Sequence, residues 1–325
     1  MLAVGANRSL SAAVDTIRIN IPGPQLMPFF PVELIPHLGI DRDLGANLGI
    51  RYHPTGVLAL EDLLKGNADF AGVGFPVLPK FVKKGHEVKA IARLSSGAPP
   101  YAIIVRKELA AEIPDIAALR GRTLGAPMGS ATTKTYLQLI AELWLSAHGV
   151  TPDQVRWAPI TQTYDGVYGA MAGETVDAVF CEEPCSAGLV RAGIGQVLAS
   201  LNDARNPVRL VGRGHLRAVI VTTPERIQAH PERAFAMAQM LQRVLRWSSM
   251  AAPEELVGQL RIKDANQRAD ILATLKRLPW PYSKDGDFLQ AEIDATREFM
   301  RVVGIALPGN ADIVSLIDDR WVRAD

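Results

Sequence analysis

Two stretches far apart in the chain are punctuated in the same way. One is Gly66-Asn-Ala-Asp69-Phe-Ala-Gly-Val-Gly-Phe-Pro76; the other is Gly173-Glu-Thr-Val-Asp177-Ala-Val-Phe-Cys-Glu-Glu-Pro184. In each, a glycine turn leads to an aspartate at the start of a short apolar strand. A proline stands seven residues after the aspartate, at the strand exit. The spacing from glycine to aspartate differs by one residue. A strand repeated with its entry and exit signals implies two similar lobes. Ligands of open α/β sheets sit outside the carboxyl ends of the strands. Pro76 and Pro184 therefore mark the edges of a shared cleft.

The flanking chain reads as strands alternating with helices. Thr16-Ile-Arg-Ile-Asn-Ile21 alternates as a first strand, and Pro22 to Pro28 breaks it. An apolar helix at 29–37, a strand at 48–53 and a helix at 57–65 follow. The strand after Asp69, a helix at 77–84 and a strand at 88–94 complete a βαβαβ run. Residues 95–100 are a polar, proline-rich break, where a lobe boundary is expected. Tyr101-Ala-Ile-Ile-Val-Arg106 opens a second series: strand 122–126, helix 131–147, strand 154–158, helix 165–172 and strand 176–180. Residues 207–217 read as a loop and 218–222 as a buried strand. Helices at 225–250, 266–276 and 287–303 end the chain, with Pro231 set to break the first of them. The fold class is α/β, each lobe a mostly parallel sheet covered on both faces.

Composition narrows the function. Net charge is +1 and the basic residues are dispersed, which argues against nucleic acid or an anionic membrane as main partner. No apolar run approaches the roughly 18 residues that cross a bilayer. Cys181 and Cys185 are the only cysteines, too few for a disulfide framework or a structural zinc site. Buried, inert thiols are the expectation. The six histidines (His37, His53, His86, His148, His215 and His230) show no ligand spacing, and no cofactor or metal is expected. The first 14 residues are small and apolar but lack a basic start. The tail of a removed signal peptide and a cytosolic extension both read this way.

The segment Leu124-Gly-Ala-Pro-Met-Gly-Ser-Ala-Thr-Thr-Lys134 reads as strand, tight turn and helix start. Ser130 stands where an N-cap is expected, with a helix from about residue 131 to 147. The first amides of a helix lack intrahelical partners and carry the positive end of its dipole. With the hydroxyls of Ser130, Thr132 and Thr133 they can hold a small anion or a strong acceptor. An ordinary capped helix reads the same way.

At this point the chain resembles the substrate-binding proteins of bacterial ABC importers. More narrowly, it is similar to the branch serving nitrate, alkylsulfonates, taurine and thiamine-pyrimidine precursors. The resemblance rests on Gly66 through Asp69, Leu119-Arg-Gly-Arg-Thr-Leu-Gly-Ala-Pro-Met-Gly-Ser130, Gly149-Val-Thr-Pro-Asp-Gln-Val155, Gly173 through Pro184 and Val219-Ile-Val-Thr-Thr-Pro-Glu225. Order and spacing carry it, over roughly residues 16 to 320. It implies the type II periplasmic-binding-protein fold, two α/β lobes joined by two hinge strands. One lobe would span 15–100 plus 220–325 and the other 101–219. It further implies a monomer in the periplasm that captures a small polar or anionic organic molecule, such as a sulfonate, a carboxylate or a thiamine-pyrimidine-like compound. Closure about the hinge would trap the guest for delivery to an inner-membrane permease.

Within that architecture the helix starts become candidate ligand contacts. Met128, Gly129, Ser130, Ala131 and Thr132 come first. Thr55 and Gly56 hold the same strand-to-helix position in the first lobe, and Gln25 and Leu26 follow the first strand. Phe75 at a strand exit can stack on a guest or simply fill core. Ser96 and Tyr101, beside Ser95, lie at the first crossover, where turn chemistry is the alternative. A carboxylate from Glu183 or Asp165 would repel an anion and favour an amine or a ring N–H. The alternatives are a salt-bridged rim residue and a helix cap. His215, with Arg213 and Arg217, precedes the second hinge strand. Two other functions share this fold: a ligand sensor and an iron-dependent thiamine-pyrimidine synthase. The synthase family carries a cysteine run on the return strand, whereas this chain has His215-Leu-Arg-Ala-Val219 there. No G-x-S-x-G, HExxH or P-loop is present. The chain is therefore read as a binding protein and not an enzyme.

Overall fold

Alternating β-branched residues and two strand-entry aspartates set the framework. A computed structural model describes residues 15–95, 101–201, 214–278 and 282–322. Residues 1–14, Ser96 and Arg213, all weighed above, lie outside the described residues. The first series comprises β1 (Asp15–Pro22), α1 (Phe30–Leu38), α2 (Ile40–Asp43), β2 (Ala46–His53), α3 (Gly56–Leu64), β3 (Phe70–Gly74), α4 (Leu78–Lys83) and β4 (Lys89–Arg93). The second comprises β5 (Tyr101–Arg106), β6 (Thr123–Ala126), α5 (Tyr136–Ala147), β7 (Arg156–Pro159), α6 (Tyr164–Ala172), β8 (Ala178–Glu182), α7 (Cys185–Arg191) and β9 (Gly195–Ser200). The chain then returns as β10 (Ala218–Thr222), α8 (Pro224–Ala229), α9 (Pro231–Met250), α10 (Pro253–Gln259), α11 (Ala265–Arg277) and α12 (Gln290–Val302).

Two five-stranded sheets result, ordered β2-β1-β3-β10-β4 and β7-β6-β8-β5-β9. Each holds one reversed strand. β10 runs antiparallel to β3 and β4, and β5 runs antiparallel to β8 and β9, while β1 pairs in parallel with β2 and β3 and β6 with β7 and β8. Each reversed strand is the first in sequence after the chain changes sheets. Their amino-terminal ends therefore arrive at the edge where the other strands end.

The repeated aspartates do the same job in both sheets. Asp69 accepts the backbone N–H of Arg18 at 2.8 Å and returns its own N–H to the Arg18 carbonyl. Asp177 accepts the N–H of Thr123 at 2.7 Å and returns its N–H to the Thr123 carbonyl. Each side chain thus ties the entry of one strand to its parallel neighbour. Asp69 is also ion-paired with Arg226 and Arg233, which anchors the start of α8 and α9 to the first sheet.

The core follows the layers. Ile17, Ile19 and Ile21 of β1 are buried with Leu34, Met237, Leu241 and Ile271 from the covering helices. A second apolar cluster passes through both sheets, joining Leu60, Phe75 and Phe81 to Ile103, Leu124, Trp144 and Phe180. Trp144 meets Phe180 edge-on at 6.2 Å between ring centroids.

Several boundaries differ from the sequence reading. The helix expected at 225–250 is two helices, because Pro231 lacks an N–H and takes the first turn of α9. The helices α7 and α10 and the strand β9 were not anticipated. The helix expected from residue 131 begins at Tyr136, and Ser130 is not its cap. Thr135 is the N-cap: its hydroxyl accepts the Gln138 N–H at 3.0 Å and donates to the Pro127 carbonyl at 2.5 Å. Residues 127–135 form a closed loop instead. A side chain on Gly129 would strike the Thr133 carbonyl oxygen at 1.8 Å, so the turn requires glycine there.

Candidate functional site

The strand ends and helix starts of both sheets face one another across a cleft. From the first sheet come Pro22 at the end of β1, Val73 and Gly74 at the end of β3, and Gly56 and Val57 at the start of α3. From the second come Thr135, Tyr136 and Leu137 at the start of α5, Gln162 before α6, and Glu182 at the end of β8. Tyr101 and Ala218, the first residues of the two reversed strands, form the floor with Arg217. Register explains their arrival: Tyr101 pairs with Glu182 and Ala218 with Gly74. A second region continues the cleft through shared Leu137, Gln162 and Glu182 to Gln25, Leu26, Tyr164, Glu183 and Gln267.

The floor is charged but internally balanced. The Arg217 guanidinium is ion-paired with the buried Glu182 carboxylate, and both side chains are nearly sealed from solvent. Arg217 Nε also donates to the Tyr101 hydroxyl at 3.1 Å, and the guanidinium lies 5.1 Å from the centre of that ring. Tyr136 meets His215 Nε2 at 2.6 Å through its hydroxyl. Burial pushes the phenols of Tyr101 and Tyr136 well above the ordinary tyrosine range, so both stay neutral donors. The remaining lining is apolar: Pro28, Phe29, Val77 and Leu137 with the faces of the two tyrosines. A site of this kind can hold a small organic body and recognise a few polar atoms on it.

The halves touch directly above the floor. Gly74 approaches α5 so closely that a side chain there would meet Tyr136 Cβ at 2.6 Å. The Gln162 N–H donates to the Pro54 carbonyl at 3.3 Å. At one rim Lys84 donates to Thr132 and Thr133 at 2.6 Å each. At the other, Asp270 of α11 accepts two bonds from Arg191 at 2.8 Å and one from the Tyr164 hydroxyl at 2.9 Å. Arg277 pairs with Glu183 beside them at 2.7 Å.

Of the residues expected to contact a guest, Gln25, Leu26, Gly56, Tyr101 and Glu183 line the cleft. Thr55 is buried as the N-cap of α3, its hydroxyl on the Leu58 N–H, with Gly56 presented beyond it. Phe75 is fully buried core and does not reach the cavity. Met128, Gly129, Ser130, Ala131 and Thr132 lie in the closed loop before α5 and are not among the lining residues. The α5 residues that do line it are Thr135, Tyr136 and Leu137. Asp165 sits in the first turn of α6, behind the true cap Thr163, and does not line the cleft. His215 stands one layer back, stacked on Phe299 at 4.3 Å and 1% exposed. Arg217, two residues on, is the group that reaches the floor.

Glu183 is engaged as a rim residue, holding Arg277 and the Ala187 N–H at the start of α7. Its neighbour Glu182 is the carboxylate on the floor. Successive strand residues face opposite sides, and Tyr101 opposite Glu182 fixes which side that is. Glu182, Tyr136 and Gln162 were not singled out from the sequence. The doubled acid in Cys-Glu-Glu-Pro-Cys was the available signal, but not which member counts. Cys181 and Cys185 are buried free thiols, and burial pushes the Cys185 thiol up to about 12, which leaves it unreactive at neutral pH. Among the described residues no cluster of three or more His, Cys, Asp or Glu side chains could hold a metal ion.

A model of the NMT1-like family matches residues 31–260. No curated protein matches the chain in sequence. Solved structures match the fold over nearly its whole length. A Bordetella bronchiseptica protein superimposes with a TM-score of 0.78 at 19% identity, covering 95% of this chain and 96% of that one. The alkanesulfonate-binding protein of Xanthomonas axonopodis pv. citri, bound to MOPS, gives 0.69 at 17% identity, covering 94% and 100%. The periplasmic nitrate-binding protein of Synechocystis gives 0.67 at 14%, covering 92% and 84%. At these identities the likeness establishes the periplasmic-binding-protein fold.

Proposed function

The chain belongs to the NMT1-like family, and from that premise we propose that it is the solute-binding component of an ABC importer. One observation carries the reading. Strand ends and helix starts from both sheets enclose a cleft whose floor is built by the two strands that enter after each change of sheet. Such a cleft opens and closes when one half rotates against the other about those crossings. Lobe one would comprise 15–100 with 220–325, and lobe two 101–219. The guest is a small organic molecule bearing a few polar atoms, captured in the closed form because only there do both walls touch it. Similarity to the sulfonate- and nitrate-binding proteins supports a periplasmic location and an inner-membrane permease as the partner. The chain acts as a monomer, holds no cofactor and turns nothing over.

Native mass spectrometry of the freshly purified protein tests this, with small-angle X-ray scattering before and after the guest is removed. A non-covalent small-molecule adduct is expected, and a larger radius of gyration once it is gone. A protein that carries no adduct, and whose dimensions stay fixed on adding sulfonates, carboxylates and aminopyrimidines, would refute the capture reading.

A further inference from the structure

We infer that Glu182 selects the charge class of the guest, and that the guest is a neutral or cationic N–H donor of the amide or amidine kind, not a simple anion. This deepens the capture reading and rests on it. Glu182 is only 6% exposed, at the carboxyl end of β8, and belongs to both regions of the cleft. One of its oxygens receives Arg217. The other, Oε2, is buried and has no hydrogen-bond partner among the described residues. Arg217, for its part, is engaged by Glu182 and by the Tyr101 hydroxyl.

A buried acceptor without a donor is costly, and native structures rarely leave one unless a ligand or water supplies the donor. The unfilled site here is a carboxylate oxygen, which only a donor can satisfy. An anion placed beside it would meet repulsion, and the positive charge that could offset this is already paired. The second polar contribution is Gln162. Its backbone bonds to Pro54, while its carboxamide is assigned no partner among the described residues and lines both regions. A carboxamide both donates and accepts. Glu182 and Gln162 together complement a group with N–H donors beside an acceptor. Phe29, Tyr101 and Tyr136 supply apolar walls for a flat body.

An isosteric trio separates charge from shape: benzoate, benzamide and benzamidine, each titrated by calorimetry into the wild-type protein and into Glu182→Gln. On the wild type, benzamide and benzamidine should bind about tenfold or more tighter than benzoate. In Glu182→Gln that preference should collapse, benzamidine weakening and benzoate strengthening. Benzoate binding the wild type as well as benzamide would overturn the assignment. So would an unchanged benzamidine-to-benzoate ratio in the variant, or no binding by any of the three. The wild-type ranking needs no variant, so a poorly folded Glu182→Gln leaves the test intact. Scattering measured alongside distinguishes the two readings. Closure by benzoate, or by propanesulfonate where the donors fail, removes the role of Glu182 and keeps solute capture; binding without any change in dimensions removes solute capture.

Discussion

Thr135→Ala should destabilise the protein while Ser130→Ala should not, although both hydroxyls lie near the start of the same helix. Thr135 makes two bonds, accepting from Gln138 N–H and donating to the Pro127 carbonyl. Losing an N-cap costs about 1 kcal/mol. Leaving the Pro127 carbonyl without its donor adds about 1 kcal/mol, for a total near 2 kcal/mol. Each kcal/mol lowers Tm by about 2–4 °C in a body of this size, so a drop of about 4–8 °C follows. Ser130 Oγ is buried without a hydrogen-bond partner among the described residues, so removing it relieves a desolvation penalty and should leave Tm unchanged or raise it by roughly 2–4 °C. Thr135→Ser keeps both bonds and should recover most of the loss. Thermal melts followed by circular dichroism, checked against urea titration, read all three variants. A Ser130→Ala protein as unstable as Thr135→Ala would show that the helix is capped five residues earlier and that the loop assignment is wrong.

Two further outcomes follow from the same geometry. Burial raises the Glu33 carboxyl from its ordinary 4.5 to about 7, against the opposing bond from the Gln25 N–H. The folded state therefore holds that proton more tightly than the unfolded chain. Its stabilising contribution is full below pH 4.5 and is lost as pH rises towards 7, by about 3 kcal/mol in all. Urea unfolding at pH 5 and pH 8 should show this decline in the wild type and a smaller one in Glu33→Gln; equal declines would refute it. Gly74→Ala should wedge the halves apart, since the new methyl group would sit 2.6 Å from Tyr136 Cβ. Scattering should report a larger particle and calorimetry weaker guest binding, and an unchanged particle would disprove the close approach.

Much of the fold was legible because its signals are local. The alternation of Thr16 to Ile21 and the paired aspartate–proline strands were readable from neighbours alone, and both aspartates bond in the same way. What escaped depends on where the chain travels. Nothing within Tyr101–Arg106 or Ala218–Thr222 announces that these strands run against their neighbours; the path between sheets decides it. The start of α5 was misplaced because Ser130, Thr132, Thr133 and Thr135 are all acceptable caps by residue type. Thr135 is the cap because the Pro127 carbonyl lies within its reach. The choice between Glu182 and Glu183 turns on one step of strand register, which Tyr101 fixes from across the sheet. His215 and Arg217 stand two residues apart, and the apolar shelf of Phe299 claims the histidine.

The bonds from Lys84 to Thr132 and Thr133, and from Asp270 to Arg191 and Tyr164, join the two sides of the cleft at its rims. A jaw fastened by such clasps when shut holds its occupant by more than the occupant's own contacts, so part of the grip resides in the protein's own bonds. The same clasps hinder unloading, so whatever empties this protein must unbutton charged pairs as well as the occupant. The Lys84 clasp is charged and near the surface and loosens with salt, which makes ionic strength a dial on release as much as on grip.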